Sequence, residues 1–366
     1  MNRTTTLLAS LMVTAACSSQ TETVATGDQR TATSSDGGAE ANASRLSSKA
    51  VAWVGDTHLR YDGWRIERRT VMSQRALEIV TQTWPMGRAT EVLLFWKVGG
   101  AVSSLAMRDE AASAGAEGHN TQWRATIPAD VFVSERPVEY WIRARDGAGN
   151  VVWDSNDGRN YELTPHDRVT LFDGTSSGWQ MAGNGTFAIE PSPSGPTLVA
   201  HPQSGLGLFW STFPIPESFE LTLDFQLSDP NDNSGVFLRF PDPDAFSYDN
   251  AAWVGVNYGL EVQIDETARP DGAGVHRTGA IYGQAGQTLT PRSVKPAGQW
   301  SRYVIRVVGQ TYSVQLDGHE VSRLAWSGDA GEPLRALPGG SGSPRFIGLQ
   351  SHTGLVAFRD IRLEVL

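Results

Sequence analysis

The segment Leu260-Glu261-Val262-Gln263-Ile264-Asp265 alternates apolar and polar residues. On a strand that pattern places Glu261, Gln263 and Asp265 on one face, two carboxylates with an amide between them. Val236, Leu238 and Phe240 share a second strand's inner face, which leaves Phe237 and Arg239 opposite. In Phe346–His352, Ile347 and Leu349 face inward while Gln350 and His352 face out, and Tyr282 lies on the face away from Ile281. If these strands share a sheet, its outer face gathers Glu261, Asp265, Arg239, Gln350, His352 and Tyr282. A solvated face would be richer in Lys, Thr and Ser. Carboxylates, an imidazole, a phenol and a guanidinium are groups that move protons and stabilise charge. Asn233, Gln263 and Gln350 suit hydroxyl recognition, and His276, in the loop Asp271–His276, is a candidate substrate contact. His352 with Glu261 or Asp265 can also ligate a divalent metal ion such as calcium, the one cofactor these residues admit. Asp229–Asn233 starts like a calcium loop, but Ser234 and Phe240 stand where an EF-hand requires Gly and Glu, so a capped turn is expected there.

The elements that must position these groups are strands. Turn clusters break the chain after residue 50 into short alternating runs, and no helical stripe persists beyond two turns. Residues 50–164 hold candidate strands at 76–83, 90–98, 122–127, 138–145 and 150–153. Residues 165–366 hold candidates at 169–172, 186–190, 197–201, 219–227, 235–240, 260–265, 278–282, 302–308, 311–316, 346–351 and 356–365. Allowing for strands that the pattern does not mark, counts of about seven and about twelve fit an all-β chain, an Ig-like β-sandwich followed by a larger jelly roll. Pro165 and His166 mark the boundary.

The chain has 366 residues and a formal charge of −10, so nucleic acid is not an expected partner. Arg3, an apolar run from Leu7 to Val13 and small residues before Cys17 read as a signal segment, residues 1–16. Cys17 is the only cysteine, and its setting resembles a bacterial lipobox, with Thr14 where leucine is usual. That resemblance implies lipid attachment at Cys17, export across the inner membrane and anchoring in the envelope. Ser18 after the cysteine implies the outer membrane. Residues 17–49 are Ser/Thr/Ala/Gly-rich and read as a tether reaching roughly 30 Å. A monomer is expected.

Two family resemblances follow from motifs. Val138–Asp146 and the run Trp153–Tyr161 are similar to starch-binding carbohydrate-binding modules, which implies that Trp153, Asn156, Asn160 and Trp84 are candidate sugar contacts. A structural spacer is the alternative for this block. Asn233–Arg239, Glu261–Asp265, Thr278–Gly283, Lys295–Trp300, Gly348–His352 and Phe358–Arg362, opened by Leu171–Gly174 and Gly178-Trp179, resemble in order the 3-keto-disaccharide hydrolase domain family. Ser351 departs from that family's usual closing motif, while His352 keeps it. The resemblance implies a concanavalin/laminarinase-like jelly-roll β-sandwich and action on a carbohydrate substrate oxidised at C3. A base removes the C2 proton, the C1 aglycone leaves, and water adds. Glu261 or Asp265 would be the base, Arg239 would hold the enolate, and His352 or Tyr282 would be the acid. An ordinary jelly-roll glycoside hydrolase and a non-catalytic surface carbohydrate binder are the alternatives. No P-loop or His-Glu-x-x-His motif is present.

Overall fold

Strands with one apolar face become stable by stacking that face on another sheet. In the computed structural model, which describes residues 50–110, 120–326 and 343–366, this yields four antiparallel sheets in two sandwiches. The expected signal segment, Cys17 and the tether lie outside the described residues.

The first sandwich uses β1 Trp53–Tyr61, β2 Trp64–Ile66, β3 Leu77–Trp84, β4 Ala89–Val98, β5 Ala101–Ala106, β6 Arg108–Asp109, β7 Thr121–Ile127, β8 Val138–Asp146, β9 Val151–Asp154 and β10 Tyr161–Leu163. One sheet runs β2-β1-β3-β7-β6; the other runs β10-β8-β4-β5 with β9 beside β8. Leu59, Ile79, Leu94, Tyr140 and Ile142 are buried between them.

The second sandwich uses β11 Arg168–Thr170, β12 Trp179–Gly183, β13 Thr186–Ser192, β14 Gly195–His201, β15 Gly207–Ser211, β16 Phe219–Leu227, β17 Asn233–Phe240, β18 Leu260–Asp265, β19 Thr288–Leu289, β20 Ser301–Val308, β21 Thr311–Leu316, β22 His319–Ala325, β23 Phe346–Ser351 and β24 Val356–Val365. A nine-stranded sheet, β13-β14-β24-β16-β20-β21-β22-β19 with β11 beside β24, covers a five-stranded sheet, β12-β15-β23-β17-β18. Together they form the jelly-roll sandwich. One short helix, α1 Trp253–Tyr258, lies between β17 and β18 in sequence and packs Gly255 against Phe237 and Leu208. Residues 278–282 are not a strand of the sheet. They hydrogen-bond along the β18 edge, where Gly279 N–H donates to the Gln263 carbonyl (2.9 Å) and Tyr282 N–H to the Glu261 carbonyl (2.8 Å).

The two sandwiches meet in an aromatic seam. The Trp64 ring is 5.0 Å from Phe346 and 6.2 Å from Trp210, edge to face. Arg75 is buried in that seam, its guanidinium 3.9 Å over the Tyr61 ring, and it donates to the Pro214 carbonyl (2.7 Å) and to Asp62 (2.8 Å). A buried cation is tolerated because every direction it faces supplies an acceptor or a π face.

Candidate active site

Alternation in the five-stranded sheet sends Val236, Leu238, Val262, Ile264, Ile347 and Leu349 into the core between the sheets. The intervening residues form the opposite face, which has two halves. Toward the seam it is apolar, with Leu208, Trp210, Phe237, Phe240 and Phe346 packed with Ala252. Toward β18 it is polar, carrying Asn233, Gln350, Glu261, Gln263 and Asp265. The register fixes their spacing, because Asn233 pairs with Asp265, Gly235 with Gln263 and Phe237 with Glu261.

Gly235 opens the space for Glu261. A methyl group on Gly235 would stand 2.1 Å from Glu261 Oε1 and 2.8 Å from its Cδ, so the carboxyl lies across the bare glycine backbone. Glu261 Oε1 is buried and has no hydrogen-bond partner among the described residues. Burial pushes its carboxyl up to about 8. Asn233 Oδ1 and Gln350 Oε1 are also buried without partners among the described residues. Each unsatisfied acceptor costs roughly 1–3 kcal/mol. Three on one face make a surface complementary to a ligand rich in hydroxyl donors. Gln263 is less available, since its Oε1 accepts from the Ile264 N–H at 3.0 Å.

Asp265 has a different environment. Its Oδ1 accepts from Thr267 N–H (2.9 Å) and Oγ1 (2.6 Å), and its Oδ2 from Arg269 N–H (3.2 Å) and Nε (2.9 Å). Burial pushes Asp265 up, but the hydrogen bonds from Arg269 and Thr267 outweigh it and hold the carboxyl below its usual value. Asp265 therefore anchors the turn after β18, and of the two carboxylates Glu261 alone presents an unengaged oxygen. His352 is lowered by burial, then by the charge of Arg269, against an opposing pull from Asp265. Its Nδ1 is 2.9 Å from Thr353 Oγ1. Tyr282 is pushed up by burial and by the charges of Glu261, Asp271 and Asp265, which keeps its phenol protonated beside Glu261. Its ring is tilted by 39° to that of His276 with centroids 4.8 Å apart, and His276 Nδ1 is 2.7 Å from Asp271 Oδ1.

Arg239 does not join this face. A β-bulge between Leu238 and Phe240 places Arg239 at φ 60, in the left-handed region. The bulge resets the alternation, so Phe240 joins Phe237 on the outer face instead of Leu238 in the core. Arg239 leaves over the sheet edge to the Tyr312 hydroxyl (2.9 Å), Gln310 and the Glu217 carbonyl. The cation that reaches the polar half is Arg269, which also donates to the Asn231 carbonyl at 2.8 Å. Alternation gives no sign of Arg269, because it lies in a loop; its position four residues after Asp265 was the only signal.

Among the described residues no three His, Cys, Asp or Glu side chains cluster as a metal site would require. The pairing of His352 with Asp265 finds both Asp265 oxygens already bonded. Asp229 Oδ1 accepts from Asn231, and Asp232 Oδ2 accepts from Ser228 and Asp229, so this oxygen-rich loop spends its carboxylates on its own backbone and side chains. Neither the His352–Asp265 pairing nor the Asp229–Asn233 loop is built as a metal site.

The candidate sugar contacts of the first sandwich separate. Trp153 is 53% exposed on the outer face of the β4-β8-β9 sheet, beside the stacked Phe95–Trp141 pair. Trp84 lies in the other sheet. Asn156 and Asn160 sit at positive φ in the turn, where Asn156 donates to the Asn160 carbonyl and Asn160 to Glu139.

The family model for the 3-keto-alpha-glucoside-1,2-lyase-like domain matches residues 167–364. Among solved structures, a candidate glycosyl hydrolase from Parabacteroides distasonis ATCC 8503 is similar, at 24% identity over 54% of this chain and 99% of its own, with a TM-score of 0.41. A second from the same organism has 16% identity over 54% and 94%, with a TM-score of 0.43. A protein of unknown function with a galectin-like fold from Bacillus subtilis has 14% identity over 54% and 94%, with a TM-score of 0.38. No curated protein sequence matches this chain.

Proposed function

This chain belongs to the 3-keto-alpha-glucoside-1,2-lyase-like domain family, and from that membership we propose that it cleaves 3-keto-glycosides by elimination across C1 and C2, followed by hydration. A ketone at C3 acidifies the C2 hydrogen. Once that proton is removed, the C1–O bond breaks without passing through an oxocarbenium ion. The chemistry then needs a proton for the leaving oxygen, donors for the enolate and groups that recognise hydroxyls.

The observation that carries this reading is Glu261, a half-buried side chain whose buried carboxyl oxygen Oε1 is unengaged and lies over Gly235. Held at about 8, it is protonated at neutral pH and acts as the acid that protonates the departing aglycone oxygen. Tyr282 offers a phenol hydrogen to the enolate oxygen. Asn233 and Gln350 accept from sugar hydroxyls. Asp265 holds Arg269 in place at the far end of the polar face. A two-carboxylate glycosidase mechanism is not supported: at ~3.3 Å per residue the Glu261 and Asp265 backbones are ~13 Å apart, and Asp265 has no oxygen to spare.

The purified chain is expected to release aglycone from a 3-keto-glucoside and leave the unoxidised parent intact. Equal cleavage of both would replace this reading with an ordinary glycosidase. Binding of the sugar without cleavage would replace it with a carbohydrate-binding protein. We also propose that Cys17 carries the lipid that holds the protein in the envelope. Detergent-phase partitioning of the wild type, lost in Cys17→Ser, is the expected result; partitioning of both into the aqueous phase would refute it.

A further inference from the structure

The mechanism above leaves the C2 proton without an acceptor, since Glu261 is protonated at neutral pH and Asp265 is fully bonded. The loop after β18 carries a pair built for that task. His276 lies with its ring 4.8 Å from that of Tyr282, and the Tyr282 N–H is bonded to the Glu261 carbonyl at 2.8 Å. Tyr282 is therefore the spacer between His276 and the Glu261 strand. His276 Nδ1 is 2.7 Å from Asp271 Oδ1, and the same oxygen accepts the Ala273 N–H at 2.9 Å. The backbone fixes this loop at two further points. The His276 N–H donates to the Ala273 carbonyl (2.9 Å) and the Gly283 N–H to the Val275 carbonyl (3.0 Å).

An ordinary surface ion pair would leave the imidazole in water. Here the His276 side chain is 17% exposed against 57% for Asp271, so the ring is turned into the fold while its partner stays outside. The Ala273 N–H and the hydrogen bond to His276 hold Asp271 below the usual carboxylate range, hence charged. A charged carboxylate at Nδ1 selects the tautomer with Nδ1–H and leaves the Nε2 lone pair free to accept a proton.

We propose that Asp271 and His276 are the base couple of this site, His276 Nε2 taking the C2 proton and Asp271 orienting the ring, an assignment that rests on the 3-keto-glycoside reading. As Nε2 takes the proton, the C2–H electron pair forms a C2=C3 bond and the ketone oxygen becomes the enolate. The enolate collapses to the ketone with a C1=C2 bond. The C1–O electron pair leaves with the aglycone oxygen, which takes the proton of Glu261. Water then adds across C1=C2. Its oxygen joins C1, one of its protons returns to the Glu261 carboxylate, and His276, whose Nε2 proton has exchanged with solvent, protonates C2. Both groups end as they began, and the net reaction is hydrolysis.

The test separates proton abstraction from aglycone departure. 1,5-Anhydro-3-keto-glucitol has the C2 proton and no aglycone, so enzyme in D2O exchanges its C2 hydrogen if the base alone is present. The wild type is expected to exchange it. His276→Gln should slow exchange at least 100-fold, and Asp271→Asn at least tenfold. Glu261→Gln should retain exchange within a few-fold while losing aglycone release from a 3-keto-glucoside. Unchanged melting of His276→Gln and Asp271→Asn, and recovery of exchange by added imidazole in His276→Gly, would support a chemical role over a structural one. Exchange at the wild-type rate in His276→Gln, or its loss in Glu261→Gln, would overturn the assignment. A wild type that neither exchanges nor releases aglycone would instead overturn the functional reading on which it rests.

Discussion

Glu261 gives a prediction that needs no substrate. Its carboxyl is held at about 8 in the fold against an ordinary 4.5. That difference corresponds to roughly 5 kcal/mol between its charged and neutral forms in place. The folded chain binds this proton more tightly than the unfolded one, so the contribution is fully present below about pH 4.5 and is lost as pH rises through about 8. Glu261→Gln keeps the shape and removes the ionisation. Relative to the wild type it should gain about 2 kcal/mol at pH 6 and roughly 4–5 kcal/mol at pH 9. Any constant cost of fitting the amide cancels between the two pH values. The extra gain, ~2–3 kcal/mol, is about 5–10 °C in melting temperature for a domain of this size. Thermal unfolding of both proteins from about pH 5 to pH 9 measures it. A difference between variant and wild type that is flat over that range would refute the argument that Glu261 is buried, unpaired and neutral.

Three other substitutions test the geometry. Gly235→Ala puts a methyl group where the Glu261 carboxyl lies; kcat should fall by about 100-fold, while stability changes by no more than about 1–3 kcal/mol. A change in stability with activity intact would mean that the carboxyl has another place to sit. Arg239→Ala loses its contacts to Tyr312 and Gln310 at a cost of about 1–2 kcal/mol and should leave kcat/KM within about twofold. A hundredfold loss would return Arg239 to the reaction. Arg75→Met strips the seam of its hydrogen bonds to Pro214 and Asp62; calorimetry should show a loss of about 2–3 kcal/mol, and an unchanged melting temperature would show that the seam carries no stability.

Strands with clear alternation were legible in the sequence: Phe219–Leu227, Leu260–Asp265, Thr311–Leu316, Phe346–Ser351 and Val356–Val365 have the bounds that their patterns predict. Most of the other candidates, such as 90–98, 138–145 and 302–308, match a strand to within one or two residues, and the strands that escaped the pattern did so for identifiable reasons. Gly207–Ser211 is buried on both faces and Ala101–Ala106 is exposed throughout, so neither alternates. The helix Trp253–Tyr258 is under two turns long and has a glycine at its centre, too short for a helical period to register. In the candidate site, alternation found the outward carboxylates and amides but could not rank them. What separates Glu261 from Asp265 is tertiary: a glycine on the neighbouring strand frees one carboxyl, while a returning loop encloses the other. Arg239 was misplaced because a one-residue bulge is invisible to a period of two. Arg269 was overlooked because its place depends on how a loop turns back.

Elimination across C1 and C2 of an oxidised sugar is open to one direct measurement. A 3-keto-glucoside is cleaved by the purified chain in D2O, and the first-formed 3-keto-sugar is examined for deuterium at C2 against enzyme-free 3-keto-glucose held for the same time. Deuterium is expected at C2 in step with aglycone release. Aglycone release with C2 still fully protonated would contradict elimination.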